Sequence, residues 1–144
     1  MNIEEATEEF NKLYGPYFSY EEMKCHCNRC EDHRVVSGDR GDWYKTPEFK
    51  SFMSHLIVLR IRMGFPFHVN SGYRCPEYNN NISSTGLDGP HTKGATDIGV
   101  SWERMYSLVD EATTMKLGVG INQKGSSNQR FIHLDGLGRR LWSY

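Results

Sequence analysis

Neither a long apolar run nor an excess of charge of either sign occurs in this chain of 144 residues. A helix that crosses a bilayer needs about 20 consecutive apolar residues, so no membrane span is expected. Lys and Arg number 17 against 18 Asp and Glu, and a net charge of −1 gives no electrostatic footprint for nucleic acid. Nucleic acid and membrane are therefore both excluded as expected partners. Internal repeats and low-complexity linkers are also missing, which leaves no boundary for a separate binding module. The opening residues Met1 to Phe10 are acidic and lack the basic and apolar regions of a signal peptide. The expectation is synthesis in the cytoplasm without classical secretion. What is present is ordinary: 38% hydrophobic, 12% aromatic and 24% charged residues fit one globular domain over 1–144, expected to be a monomer.

Helical spacing of Ile3, Ala6, Phe10 and Leu13 predicts a helix over 3–13, ended by Gly15-Pro16. Ser19 with Glu22 forms a capping-box pattern for a short helix over 20–24. Residues 25–46 show no period and read as loop. Thr46-Pro47-Glu48 is a helix start, with Phe49, Phe52, Met53, Leu56, Ile57 and Leu59 on its apolar side and Gly64 as its stop. Phe67 to Ser71 alternates as a strand, and Pro76 to Ser84 reads as a short helix. Strands follow at 95–100, 118–121 and 130–134, with an amphipathic helix over 102–115 and a polar turn over 122–129. This order predicts an α+β fold, a small, mostly antiparallel sheet with helices packed on one side.

Three short blocks carry the chemistry: Ser71-Gly72-Tyr73-Arg74, then Pro90 to Ile98, then Phe131-Ile132-His133-Leu134-Asp135. His91 alone reads as a surface histidine of a Gly- and Pro-containing loop, and His133 alone as a satisfied core histidine. Asp97 sits within Ala95 to Val100, where a buried carboxylate is costly unless it is paired or metal-bound. Neutral imidazole and carboxylate are ligands of a catalytic zinc, so His91, Asp97 and His133 together form a candidate zinc site of a hydrolase. Arg74 could hold a carboxylate through a bidentate fork or stabilise an oxyanion. Asp135, two residues beyond His133, could orient that ligand, cap the turn at Gly136, or act as the general base, the role expected here. Ser71 and Tyr73 are candidates to line the substrate pocket, with Tyr73 equally readable as core.

In this order the blocks resemble the zinc peptidases of bacterial cell-wall metabolism. That family includes D-alanyl-D-alanine carboxypeptidases and dipeptidases, and the L-alanyl-D-glutamate endopeptidases carried by phages. The resemblance spans roughly residues 18–144. Phe18-Ser19 with Glu22 and Cys25 at one end, and Leu141 to Tyr144 at the other, are similar to the phage-type branch. It implies the fold shared with the hedgehog signalling domain, a catalytic core over 46–144 behind an N-terminal helical and Cys-rich segment over 1–45, zinc as cofactor and peptidoglycan stem peptides as substrate. It also implies a lysin released through a holin or carried on a virion. Two departures stand out. His91 and Asp97 are six residues apart where the family has seven, and in a strand a shift of one residue turns a side chain to the other face. Arg130 and Phe131 occupy positions where relatives carry an acid or base. Both departures favour the alternative of a zinc-bearing wall-binding or structural domain without turnover.

Cys25, Cys27 and Cys30 cluster, with His33 close by, and Cys75 stands apart directly after Arg74. In a protein made in a reducing compartment such a cluster is thiol or metal-bound. Cys25, Cys27, Cys30 and His33 could form a second, structural metal site, with Cys75 as a further donor. Free thiols, or one disulfide to Cys75, are the alternatives, and a cysteine-based redox or metal-storage module is a third reading of the whole chain.

Overall fold

A computed structural model describes residues 2–31 and 41–144. Helix α1 (Ile3–Tyr14) starts from an Asn2 capping box, and α2 (Tyr20–Met23) starts from the Ser19–Glu22 box predicted for it. Among its described residues, the segment read as loop contains a helical turn, α3 (Asn28–Glu31), and a 3-10 turn at Trp43–Lys45. Four residues are too few to display a period, which is why neither shows in the sequence. Helix α4 (Pro47–Met63) begins with the Thr46 hydroxyl accepting from the Phe49 amide, and ends at Gly64 in the left-handed conformation, φ 72°.

The chain then enters a five-stranded sheet: β1 (His68–Ser71), helix α5 (Pro76–Ile82), β2 (Ala95–Gly99), helix α6 (Trp102–Thr114), β3 (Gly118–Asn122), β4 (Phe131–Asp135) and β5 (Arg140–Ser143). The spatial order is β1-β2-β4-β3-β5. All neighbouring pairs are antiparallel except β3 and β5, so the fold is the expected α+β class with a mixed, mostly antiparallel sheet. Strand β5 was not expected. Three of its four residues are exposed and it pairs in parallel with a strand some twenty residues upstream, so it shows no alternation.

Alternation divides the sheet into two faces. Ile98, Ile132, Leu134 and Val119 are fully buried in the core that includes Leu56 and Leu59 of α4 and Leu108 and Ala112 of α6. The opposite face carries Asp97, His133 and Asp135. An aromatic group of Phe10, Tyr14, Tyr20, Trp43, Tyr44 and Phe49 ties the N-terminal elements to α4. Trp43 stacks on Tyr73 at 4.8 Å, which carries this packing to the loop before Arg74. No helix among the described residues is long and apolar enough to cross a membrane.

Candidate metal centre

Asp97 and His133 are register partners across β2 and β4, and Asp135 follows on the same face of β4. His91 reaches them from a 3-10 turn, Pro90–Thr92, and the strand begins only at Ala95. The shortened spacing is therefore absorbed in the turn and at Gly94, before strand alternation starts, so Asp97 keeps the face of His133. On the other edge, a bulge between Val69 and Ser71 sets Ser71 opposite Asp97.

His91 Nε2 lies 3.3 Å from Asp97 Oδ1, and His133 Nδ1 lies 2.9 Å from the same oxygen. One ligand atom from each of the three residues lies within 4.8 Å of the others. The remaining ring nitrogens are held from behind. His91 Nδ1 is 2.7 Å from the Gly72 carbonyl oxygen, and His133 Nε2 is 2.8 Å from Asp135 Oδ2. A carbonyl and a carboxylate only accept, so these two nitrogens donate, and in neutral rings the other two present lone pairs. Two lone pairs and a carboxylate oxygen thus face one point, an arrangement that needs a cation or protons between them. The donor set of two imidazoles and one carboxylate fits zinc.

The charges agree. Burial opposes ionisation of Asp97, but hydrogen bonds from His133 and His91 outweigh it and hold the carboxyl below its ordinary range. Burial pushes His133 down, yet Asp135 and Asp97 hold it above the usual imidazole value. Asp135, completely buried, is likewise opposed by burial and held low by His133, the Leu137 amide and Arg140. Its Oδ2 also accepts from Arg140 Nη2 at 2.7 Å, and its Oδ1 from the Leu137 amide at 3.0 Å. The His133 ring stands between Asp135 and Asp97. Of the three roles legible for Asp135, geometry favours orienting the ligand, with turn capping added, over that of base.

Arg74 extends one guanidinium nitrogen to within 3.5 Å of Asp97 Oδ2. Ser71 Oγ accepts from its Nε at 3.1 Å and Asn79 Oδ1 from its Nη1 at 3.3 Å, while its backbone amide donates to the His91 carbonyl. Ser71 thus serves Arg74. Tyr73 lies against Trp43 and borders a cleft of about 390 Å³ with Asp42, Thr46, Glu48, Pro76, Thr92 and Lys93, a lining that includes the chain neighbours of Arg74 and His91 but none of the three candidate ligands.

Several contributors were not evident as sequence. Asn79, completely buried, was seen only as part of a short helix. Arg140 and Trp142 arrive on β5, the Trp142 ring 5.2 Å from that of His133. Both lie across bare backbone: Gly120 is the register partner of His133 and Trp142, and Gly118 of Asp135 and Arg140. Glycines two apart in a strand were the signal that pointed there. Tyr144 also lies close enough for Asp97 to add to the burial that raises its phenol. Among the cysteines, Cys25, Cys27, Cys30 and Cys75 group together, whereas His33 lies outside the described residues.

Fold and site together define a class, an α+β protein with a candidate metal centre of two imidazoles and a carboxylate under an arginine. A family model described as Peptidase M15 matches residues 16–135, and the chain belongs to that family. The match takes in Arg74, His91, Asp97, His133, Asp135 and all four cysteines. M15 peptidases are zinc enzymes. No curated protein matches the chain.

Proposed function

We propose that the chain is a zinc-dependent peptidase of the peptidoglycan type, monomeric and acting on stem peptides. The convergence of His91 Nε2, His133 Nδ1 and Asp97 Oδ1, each imidazole fixed by an acceptor on its far nitrogen, carries this reading. His91, Asp97 and His133 would hold the ion. When bound, zinc supplies Lewis acidity and lowers the pKa of water to about 7. The Gly72 carbonyl and Asp135 fix the tautomers of the neutral rings, so that His91 Nε2 and His133 Nδ1 are the nitrogens with lone pairs and are aimed at the ion's place. We assign Asp135 this positioning role in place of the general base. Arg74, fixed by Ser71 and Asn79, presents its guanidinium beside Asp97, where it would suit a stem-peptide carboxylate or the oxyanion of an attacked amide. The scissile bond is D-Ala–D-Ala or L-Ala–D-Glu. A phage or prophage lysin, made in the cytoplasm and acting at the wall through holin release or from the virion, is the biological setting proposed.

One observation favours a second reading. Arg130 donates to the Gly125 carbonyl and lies 4.9 Å from the Trp102 ring, and Phe131 packs on Tyr144, so neither supplies a proton carrier to the centre. A zinc-bearing wall-binding domain without turnover would have this arrangement. Mass spectrometry of purified peptidoglycan, digested with zinc-loaded protein and with a chelated control, decides between them. New stem-peptide fragments that need zinc are expected and identify the bond. Stoichiometric zinc without any cleavage would leave only the binding domain.

A further inference from the structure

Away from the histidine centre, four sulfurs from two distant stretches of chain meet. Cys25 and Cys27 precede α3, Cys30 lies within it, and Cys75 sits at the start of α5, one residue after Arg74. One sulfur from each lies within 4.8 Å of the other three. None is joined by a disulfide, and Cys27 Sγ to Cys75 Sγ measures 3.7 Å. A disulfide would set that distance at about 2 Å. In a tetrahedral zinc–thiolate site with Zn–S of about 2.3 Å, the edge between two sulfurs is about 3.8 Å. The observed separation is that of a tetrahedral edge.

Backbone amides point at the sulfurs in the way that supports thiolates. The Cys75 amide donates to Cys25 Sγ at 3.3 Å and the Cys30 amide to Cys27 Sγ at 3.4 Å. Cys25 and Cys75 are buried and the other two half-buried, so the cluster is closed on one side. Four thiols with no open position left over is the donor set of a structural site, where a catalytic one keeps a coordination position free.

We propose that Cys25, Cys27, Cys30 and Cys75 bind a second zinc ion, which clamps the N-terminal segment to the turn that carries Arg74. The contact it would clamp is already close. The Tyr73 amide donates to the Met23 carbonyl at 2.8 Å, and a side chain at Gly72 would meet that carbonyl oxygen at 2.6 Å. Binding releases the thiol protons to solvent, with no change in oxidation state. The ion would touch no substrate, and its effect on the other centre passes through the position of Arg74.

The test is metal content of the full-length protein by atomic emission, with cobalt as a spectroscopic probe. Two zinc ions per chain are expected in the parent and one in the His91→Ala, His133→Ala double variant. Cobalt added to that double variant should give the intense thiolate-to-metal charge-transfer bands of a tetrahedral sulfur site. Cys27→Ser with Cys75→Ser should abolish those bands. Should that pair fail to fold, Cys30→His, which keeps four ligands, should retain the ion and shift the bands. Cys27 and Cys75 border a surface recess with His26 and Tyr78, so free thiols there are within reach of a thiol reagent. A folded double-histidine variant with no metal and with thiols that react at once overturns the proposal. So does an intact mass two hydrogens short, which marks a disulfide. Zinc kept at the cysteines in a protein that cleaves no peptidoglycan would remove the peptidase reading and leave this one standing.

Discussion

A single imidazole, that of His133, links the chemistry of this protein to its scaffold. One nitrogen faces Asp97 Oδ1 at 2.9 Å, the other faces Asp135 Oδ2 at 2.8 Å, and Trp142 lies against the ring. Asp135 is in turn held by Arg140 and by the Leu137 amide, so the orientation of the ligand is set two bonds back. Removal of an outer partner of this kind typically costs 10–100-fold in metal affinity. Asp135→Ala is therefore expected to weaken zinc binding by roughly that factor, measured by competition with a chromophoric chelator. Asp135→Asn, whose amide oxygen can still accept from Nε2, should recover part of it. A base would behave otherwise: Asp135→Asn would abolish hydrolysis while zinc affinity stayed at the parent value, and that result would return Asp135 to the catalytic role.

At the scale of elements, β3 is shaped by what it lacks. A Cβ at Gly120 would lie 2.6 Å from the Trp142 ring, and one at Gly118 would collide with the Asp135 carboxylate. Gly120→Ala must push β5 or the indole aside, and overpacking of this kind costs about 1–3 kcal/mol. A fall in thermal midpoint, together with a change in Trp fluorescence, checks it. Helix α1 gives a second case. Tyr14 donates its hydroxyl to the Tyr44 carbonyl, and burial pushes its pKa up to about 12. Unfolded, the phenol ionises near its ordinary value of about 10, so the folded state binds more protons between the two values and stability falls as pH rises through that window. Tyr14→Phe should lower the midpoint at neutral pH and flatten its decline between about pH 10 and 12.

The same elements show what could be read from the chain. Ser19 with Glu22, Thr46 with Pro47, and Gly64 punctuate helices by local hydrogen bonds and a local φ, so they were legible, and all three hold. His91, Asp97 and His133 were legible as ligand types, and the structure gathers them. Whether six residues between His91 and Asp97 preserve the face was not, because that depends on where turn gives way to strand. Strand β5 was hidden for another reason, and the joining of Cys75 to Cys25, Cys27 and Cys30 could be offered only as one option among several. Each depends on a pairing between distant segments, and no spacing within either segment records its partner.

Over the whole molecule, the two candidate centres share no ligand but meet through one turn. Gly72 gives its carbonyl to His91, Tyr73 gives its amide to Met23, Arg74 reaches Asp97 and bonds the His91 carbonyl, and Cys75 belongs to the sulfur cluster. An ion at either place that bound the folded chain alone would stabilise it by mass action. Zinc at a hundred times Kd would then add about 2.7 kcal/mol per site, roughly 5–10 °C at this size. Were the centres independent, the losses from emptying each would add to within about 0.3–0.5 kcal/mol. The shared turn predicts that they do not. Once His133→Ala has removed one ion, the segment from Gly72 to Cys75 is less firmly placed, and Cys27→Ser should then cost a different amount than in the parent. The coupling expected for residues that share a backbone shift is about 0.5–3 kcal/mol. Denaturant midpoints of the parent, the two single variants and the double variant, all at one fixed free-zinc concentration, measure it. A coupling near zero would mean that Ser71 to Cys75 is held firmly by its backbone contacts alone, and that the sulfur cluster acts on the N-terminal segment without reaching Arg74.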